Sequence, residues 1–313
     1  MTSQRLRFFE KSLGQRHIVE SDKYLYKTPK ASHNLVVIGT GTMGQEHMYV
    51  ATLLGRARIH GIYDSYTHSM DIAEDNYKKY SNDVLVRYSN LEAACKDPNI
   101  DAIMICTPNH THFDILSVAM ATGKPILLEK PMATSIENAK SIVDACEDYE
   151  AFVQLGLQYR YKSQYVEALH ELKQRNSLGV LKTVSLSEYR PPFLDKVDQW
   201  NKFNQNTGGT LVEKCCHYFD LMNRIANSQP IRVYASGGKA VNFKDFTFDG
   251  QTADIDDHAL VIVDYENGVK GQFTLNMFSE ELYETLVISG NKGTLRAEEE
   301  ASFKSRRGSK SKI

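Results

Sequence analysis

Leu35-Val36-Val37-Ile38-Gly39-Thr40-Gly41-Thr42-Met43-Gly44 is the stretch on which the reading of the fold turns. Its short β-branched run suits a strand buried on both faces. The glycines at 39, 41 and 44 then follow the spacing GxGxxG. Spaced glycines occur in many loops, so the context carries the weight. A strand feeds directly into them, a helical stretch leaves them and runs to about Leu54, and Asp64 ends the next strand, Arg58 to Tyr63.

In that setting each position has a task. Gly39 allows the tight turn, Gly41 lets the backbone approach a pyrophosphate, and Gly44 lets the helix pack closely on the sheet. Thr40, Thr42 and Met43 complete the loop, and the helix start supplies free N–H donors and a partial positive charge. Asp64 can accept hydrogen bonds from both ribose hydroxyls and would repel a 2′-phosphate. The expected cofactor is therefore NAD rather than NADP.

Outward from this loop, strands and helices alternate. Val84–Tyr88, Ala102–Cys106, Pro125–Leu128 and Ala151–Leu155 read as further strands. Helices are expected over about 68–79, 111–121 and 135–147. The rhythm indicates a doubly wound parallel sheet. After Gly156 it changes. A helix over about 164–174 precedes a long strand, Leu181–Tyr189, and a loop carrying Pro191, Pro192 and Trp200 follows. A helix is expected from about Gly209, and then a hairpin in which Ala259–Val263 and Gly271–Leu275 flank the turn Glu266-Asn267-Gly268. Leu286–Ser289 reads as another strand. The expected fold class is α/β: an N-terminal Rossmann sheet followed by an α+β domain with a largely antiparallel open sheet. The expected divisions are an N-terminal arm at 1–33, a dinucleotide-binding domain at 34–157, and a substrate and oligomerisation domain at 158–313. The basic tail from Ser302 reads as a frayed terminus.

Composition limits the partners. Lys and Arg number 37 against 39 Asp and Glu, a net charge of -2 over 313 residues. Nucleic acid and anionic membranes favour a basic excess, so neither is an expected partner. No apolar run is long enough to span a bilayer, and the first ten residues lack the apolar stretch of a secretory signal. The five cysteines (95, 106, 146, 215 and 216) show no metal-binding spacing. They read as reduced thiols, with cytoplasmic localisation and no metal expected.

Two further stretches carry chemistry. Glu129-Lys130-Pro131 follows the fifth strand at the C-terminal end of the sheet, where open α/β sheets bind ligands. Further along, Gly208-Gly209 precedes Glu213 and His217. On one helix those two would share a face, and a carboxylate there could orient the ring and raise its pKa.

Together these pieces resemble the Gfo/Idh/MocA family of NAD(P)-dependent oxidoreductases, which act mostly on sugars, inositols and related polyols. The matching residues are the Gly39–Gly44 loop, Cys106-Thr107-Pro108-Asn109-His110-Thr111-His112, Glu129-Lys130-Pro131 and Gln158-Tyr159-Arg160. Trp200 ahead of Gly208-Gly209, and His217-Tyr218-Phe219-Asp220, complete the set over roughly residues 34 to 296.

The resemblance implies that Lys130 contacts both substrate hydroxyl and nicotinamide, and that His217 is the acid/base. Glu213 stands where many members have Asp. Thr107, Pro108, Asn109 and His112 would line the cofactor, with Glu129 near the nicotinamide ribose. Lys130, Arg160, Trp200, Glu213 and His217 would bind substrate, although Arg160 fits a structural role equally well. The loop from Pro191 to Asn206 is the expected seat of specificity, through Trp200, Asn201, Asn204, Gln205 and Asn206. A homo-oligomer, dimer or tetramer, is expected through the C-terminal sheet. Family members usually continue past Leu295 through another strand and a closing helix, so the chain reads as a short form or a truncated one. Two alternatives share the fold: an NAD-binding transcriptional regulator without enzymatic activity, and an NAD-dependent glycosidase.

Overall fold

The computed structural model describes residues 31–301 and 309–312. Most of the expected N-terminal arm therefore lies outside the described residues. The chain forms two compact units, divided between Met104 and Ile105.

The first unit holds β1 (His33–Ile38), α1 (Thr42–Leu54), β2 (Ala57–Tyr63), α2 (Thr67–Tyr77), β3 (Val86–Arg87), α3 (Leu91–Lys96) and most of β4 (Ala102–Ile105). Val36, Val37 and Ile38 of β1 are wholly buried, as their β-branched run requires. β1 pairs with β2 and β2 with β3, all parallel. Gly55 in the left-handed region ends α1 by taking orphan carbonyls at Ala51 and Thr52. β3 is shorter than expected, with Val84 left exposed ahead of it. The unexpected helix α3 is capped by Asn90, whose side chain accepts from the Ala93 N–H at 2.8 Å.

The second unit continues with α4 (His112–Met120), β5 (Ile126–Glu129), α5 (Ile136–Glu147) and β6 (Val153–Gly156). β5 and β6 pair parallel. The parallel strands follow the order β3-β2-β1-β4-β5-β6, the doubly wound order. Next come α6 (Ser163–Lys173), β7 (Leu181–Tyr189), α7 (Asn204–Thr207), α8 (Thr210–Glu213), α9 (Cys216–Ala226) and β8 (Pro230–Gly238). A two-stranded pair, β9 (Thr247–Phe248) and β10 (Gln251–Thr252), precedes β11 (His258–Tyr265), β12 (Lys270–Asn276), β13 (Leu282–Gly290), β14 (Thr294–Ala301) and β15 (Ser309–Lys312).

The larger sheet runs β15-β14-β13-β7-β12-β11-β8. It is antiparallel except where β12 lies parallel to β7. Leu221, Met222 and Ile225 of α9 are buried in a core with Leu186, Phe273 and Leu286 of the sheet. Each such side chain contributes about 1.5–3 kcal/mol by leaving water.

Two strands had no clear sequence signal. β8 is an edge strand exposed along nearly its whole length, so it shows no alternation of burial. β14 carries Glu298, Glu299 and Glu300, an unusual content for a strand. Its inward Glu299 is accommodated because Lys162 Nζ and Gln164 Nε2 both donate to it at 2.6 Å. The expectation of a frayed tail is corrected in part: residues 309–312 form β15 against β14, while 302–308 lie outside the described residues. Among the described residues no helix is long and apolar enough to cross a membrane.

A glycine on β13 gives a direct test of this packing. A Cβ at Gly290 would fall 2.1 Å from the Leu178 carbonyl oxygen, a clash only backbone movement could relieve. Gly290→Ala is expected to lower urea-unfolding stability by about 2–4 kcal/mol. An unchanged midpoint would contradict that close approach.

Candidate active site

In the first unit, the candidate cofactor residues lie on the β1–α1 loop. Gly39 has φ 90, which a side chain would strain. A Cβ at Gly44 would lie 2.0 Å from the Gly39 carbonyl oxygen, so the loop needs glycine there for its own closure. Gly41 differs. Its φ is -66, which any residue adopts, and a Cβ would meet nothing within 4 Å. Neither conformation nor protein packing demands glycine at 41. The bare backbone opens onto space at the start of α1, where no side chain caps the first-turn N–H groups. That is the fit a diphosphate requires.

Thr40 is wholly buried and secures the loop, its N–H donating to Asp64 Oδ2 at 2.7 Å and its hydroxyl at 3.2 Å. The Tyr66 N–H donates to Asp64 Oδ1 at 2.9 Å. Asp64 is thus held rigidly at the end of β2. Thr42 and Met43 open α1.

In the second unit, Thr107 to Thr111 turn after β4. The Thr111 hydroxyl lies 2.8 Å from the Thr107 hydroxyl and 2.7 Å from the Pro108 carbonyl oxygen. Asn109 is buried, and its amide donates to Glu213 Oε2. His112 departs from expectation. It is wholly buried, with Nδ1 2.8 Å from the Pro131 carbonyl and Nε2 3.0 Å from the Thr107 carbonyl. It ties the two loops together and presents no surface to a ligand. The ring sits on the first turn of α4, facing back into the protein.

Lys130 follows β5 and is half-buried against Glu213. Its Nζ donates to the Glu213 carbonyl at 2.9 Å and lies 3.5 Å from Glu213 Oε1. Burial opposes the ammonium charge, but Glu213, Cys216 and Glu129 outweigh it and hold the pKa above the usual lysine value. Glu129 is buried, one carboxylate oxygen accepting the Lys130 N–H at 3.1 Å.

The expected single helix carrying Glu213 and His217 is broken. α8 ends at Glu213 and α9 begins at Cys216. The break lets Lys214 turn inward, where its Nζ donates to the Tyr159 hydroxyl at 2.7 Å and pairs with Glu188 at 3.1 Å. Glu213 is engaged by Lys130 and Asn109, so the expected Glu213 support of His217 is corrected. His217 is 2 % exposed and its Nδ1 has no hydrogen-bond partner. Its pKa is lowered to about 2, first by burial and then by the charges of Lys214, Lys130 and Lys162. The raised value expected from sequence is reversed, and the imidazole is neutral.

The remaining expected residues divide. Arg160 makes a two-pronged pair with Asp220, at 2.7 and 2.6 Å, which occupies its fork in holding α9. Trp200 lies edge-on to His110 with centroids 6.4 Å apart. Two of the expected specificity amides have internal partners: Asn201 donates to the Leu194 carbonyl at 2.9 Å and Asn206 to the Trp200 carbonyl at 3.2 Å. Asn204 and Gln205 are exposed. Sequence reading missed Lys196, on the loop before Trp200. Burial lowers its pKa, Glu213 opposes that shift, and Lys130 adds to it. Nothing in the periodicity around Lys196 marked it. Among the described residues no cluster of three or more His, Cys, Asp or Glu could hold a metal ion.

Comparison with known proteins matches this arrangement to two profiles. Residues 33–157 match the Gfo/Idh/MocA oxidoreductase family, NAD-binding Rossmann fold, and residues 171–311 match that family's C-terminal alpha/beta domain. The rhizopine catabolism protein MocA of Rhizobium meliloti is 27% identical over 245 residues, which is 77% of this chain and 70% of that protein. Myo-inositol 2-dehydrogenase of Thermotoga maritima is 22% identical over 268 residues, 84% of this chain and 74% of that protein. Among solved structures, GenD2 from gentamicin A biosynthesis in complex with NAD superposes with a TM-score of 0.75 at 20% identity, covering 87% of this chain and 73% of its own.

Two outcomes are expected. Gly41→Ala should leave the urea midpoint nearly unchanged yet weaken NAD binding about tenfold or more by calorimetric titration. Equal affinity would show that the diphosphate does not approach residue 41. The second concerns pH. His217 and His112 both have folded pKa values below the ordinary histidine value of 6.5. The unfolded chain therefore binds more protons below that pH, and their stabilisation, present above it, declines on acidification. Between pH 6.5 and 5, unfolding free energy should fall by up to about 1.4 kcal/mol per pH unit for each histidine. His217→Gln should make the slope shallower, and an equal slope would place the proton uptake elsewhere.

Proposed function

The chain belongs to the Gfo/Idh/MocA oxidoreductase family, and from that premise we propose that it is an NAD-dependent dehydrogenase or reductase. Its substrate is a secondary alcohol, or the matching ketone, of a sugar, inositol or related polyol. The carrying observation is the Lys130 ammonium, fixed by Glu213, whose charge acts on a neutral, buried His217. The names of relatives such as the Thermotoga inositol dehydrogenase support the substrate class.

NAD, when bound, supplies the hydride acceptor or donor. Gly39, Thr40, Gly41, Thr42, Met43 and Gly44 would hold its diphosphate, and Asp64 the adenosine ribose. Thr107, Pro108, Asn109 and Glu129 would line the remaining length. Lys130 donates a hydrogen bond to the substrate oxygen as negative charge develops there, an interaction strongest at the transition state. His217 takes the hydroxyl proton. The imidazole, unprotonated at neutral pH, has a nitrogen lone pair to accept it, and the burial and lysine charges that lower its proton affinity favour release of that proton to solvent. Glu213 fixes Lys130 and, with Trp200, borders the substrate. We assign the dinucleotide-binding domain to 34–157 and the substrate domain to 158–313.

We also infer a homo-oligomer through the outer face of the larger sheet. Leu260 and Ile262 on β11 are exposed there beside Tyr234 on β8. The free cysteines fit a reducing, cytoplasmic setting.

The test is NAD-linked spectrophotometry across inositols, aldoses, uronates and their keto forms. A dehydrogenase accumulates NADH with at least one of them, whereas product without NADH would indicate redox-neutral hydrolysis, and NAD binding without turnover a regulator. Lys130→Met should lower kcat about a hundred- to ten-thousand-fold while NAD affinity stays within about threefold. A near-normal rate in that variant would remove Lys130 from the chemistry.

A further inference from the structure

His217 has no carboxylate to orient it, yet a ring that transfers a proton must keep a fixed plane. The structure supplies another support. Tyr159, on the 3-10 turn Gln158–Tyr161 after β6, lies parallel to His217 with ring centroids 4.3 Å apart and an interplanar angle of 12°. Tyr159 is itself held on all sides. Its hydroxyl accepts from Lys214 Nζ at 2.7 Å and donates to Glu284 Oε1 at 2.8 Å. Tyr165 stacks on it at 6.1 Å and Tyr218 meets it edge-on at 5.4 Å. The Lys162 ammonium lies 4.0 Å from its ring centroid.

We propose that Tyr159 is a positioning residue for His217: its ring fixes the imidazole plane, and its hydroxyl, clamped between Lys214 and Glu284, fixes that ring. The assignment rests on the reading of His217 as the proton acceptor. Tyr159 does not touch the reacting atoms and acts only through the histidine.

The same arrangement selects the neutral ring. Two ammonium groups, Lys162 at 4.0 Å and Lys214 at 4.8 Å, already engage the Tyr159 π-system. An imidazolium stacked on that ring would face both of them, together with Lys130 from the end of β5. The carboxylates nearby face other groups: Glu284 accepts from Tyr159, Tyr165, Tyr218 and Lys162, Glu188 is ion-paired through one oxygen with Lys214 and Arg190, and the Glu213 carboxylate meets Lys130 and Asn109. Burial also keeps the Tyr159 hydroxyl protonated, with Glu284 and Glu188 acting the same way, so it stays a donor.

The test uses the full chain in three variants, read by turnover and by NMR of histidine labelled with carbon-13 at Cε1. Tyr159→Leu should lower kcat about thirtyfold or more while KM for NAD changes less than about twofold. Tyr159→Phe keeps the ring and should recover about tenfold of that loss. Lys214→Gln removes one cation, and the His217 resonance, absent from titration above pH 5 in the parent, should move its midpoint upward by about a unit or more. The proposal is overturned if Tyr159→Leu keeps the parent kcat, if Phe and Leu are equally impaired, or if the His217 midpoint is unmoved in Lys214→Gln. The Lys214→Gln spectrum decides even where Tyr159→Leu does not fold. His217→Asn separates the two readings: full turnover in that variant would remove the proton-acceptor role itself, whereas loss there with normal Tyr159→Leu kinetics removes only the positioning.

Discussion

A carboxylate buried to 1 % exposure, Glu284 on β13, organises the second unit. Burial pushes its pKa up, but Lys162 and Lys214 and the hydrogen bonds it accepts reverse the shift and keep it below the usual carboxylate value. The charge persists because four groups converge on it. Tyr159 and Tyr218 donate to one oxygen, and Tyr165 and Lys162 to the other, all within 3.0 Å. Leaving such a buried charge unpaired costs about 3–5 kcal/mol. The donors arise from the turn after β6, from α6 and from α9, so meeting the carboxylate's demand fixes those elements against the sheet.

That demand reaches the site through α9. The helix carries Tyr218 to Glu284 and His217 to Tyr159, while Asp220 engages Arg160. Adjacent residues of one turn are thereby assigned to the core network, the stacked ring and the ion pair. The break between α8 and α9 belongs to the same solution. A continuous helix would direct Lys214 along its own face, whereas the interrupted backbone takes it to Tyr159 and Glu188. Glu213 is then released to Lys130 and Asn109, which explains why the carboxylate serves the lysine rather than the histidine.

Much of this was legible in the sequence, and the boundary is physical. The Gly39–Gly44 loop and Asp64 could be read because Gly39 and Gly44 answer local demands of backbone geometry, visible in a few neighbouring residues. β7 and the β11–β12 hairpin announced themselves by alternation and a Gly268 turn. β14 did not, because its inward Glu299 is tolerated through Lys162 and Gln164, which are distant in sequence. The Glu213–His217 spacing misled for the same reason: an i, i+4 relation holds only if the helix is unbroken, and the break is driven by partners at 159 and 188. His112 shared a motif with Asn109 but turned inward, and only the positions of two carbonyls distinguish them.

The overall charge of -2 averages away the local field that a ligand meets. Lys130 and Lys196 both lie within electrostatic range of Glu213. His217 adds no positive charge, since its neutrality is enforced by burial and by the lysines around it. On the proposed function, a neutral polyol entering this field is polarised at its oxygens. As a hydroxyl loses its proton, the emerging negative charge is attracted by lysines already in place, without reorganisation of the surroundings. The cations that make His217 a reluctant holder of a proton are the same ones that favour the alkoxide-like oxygen.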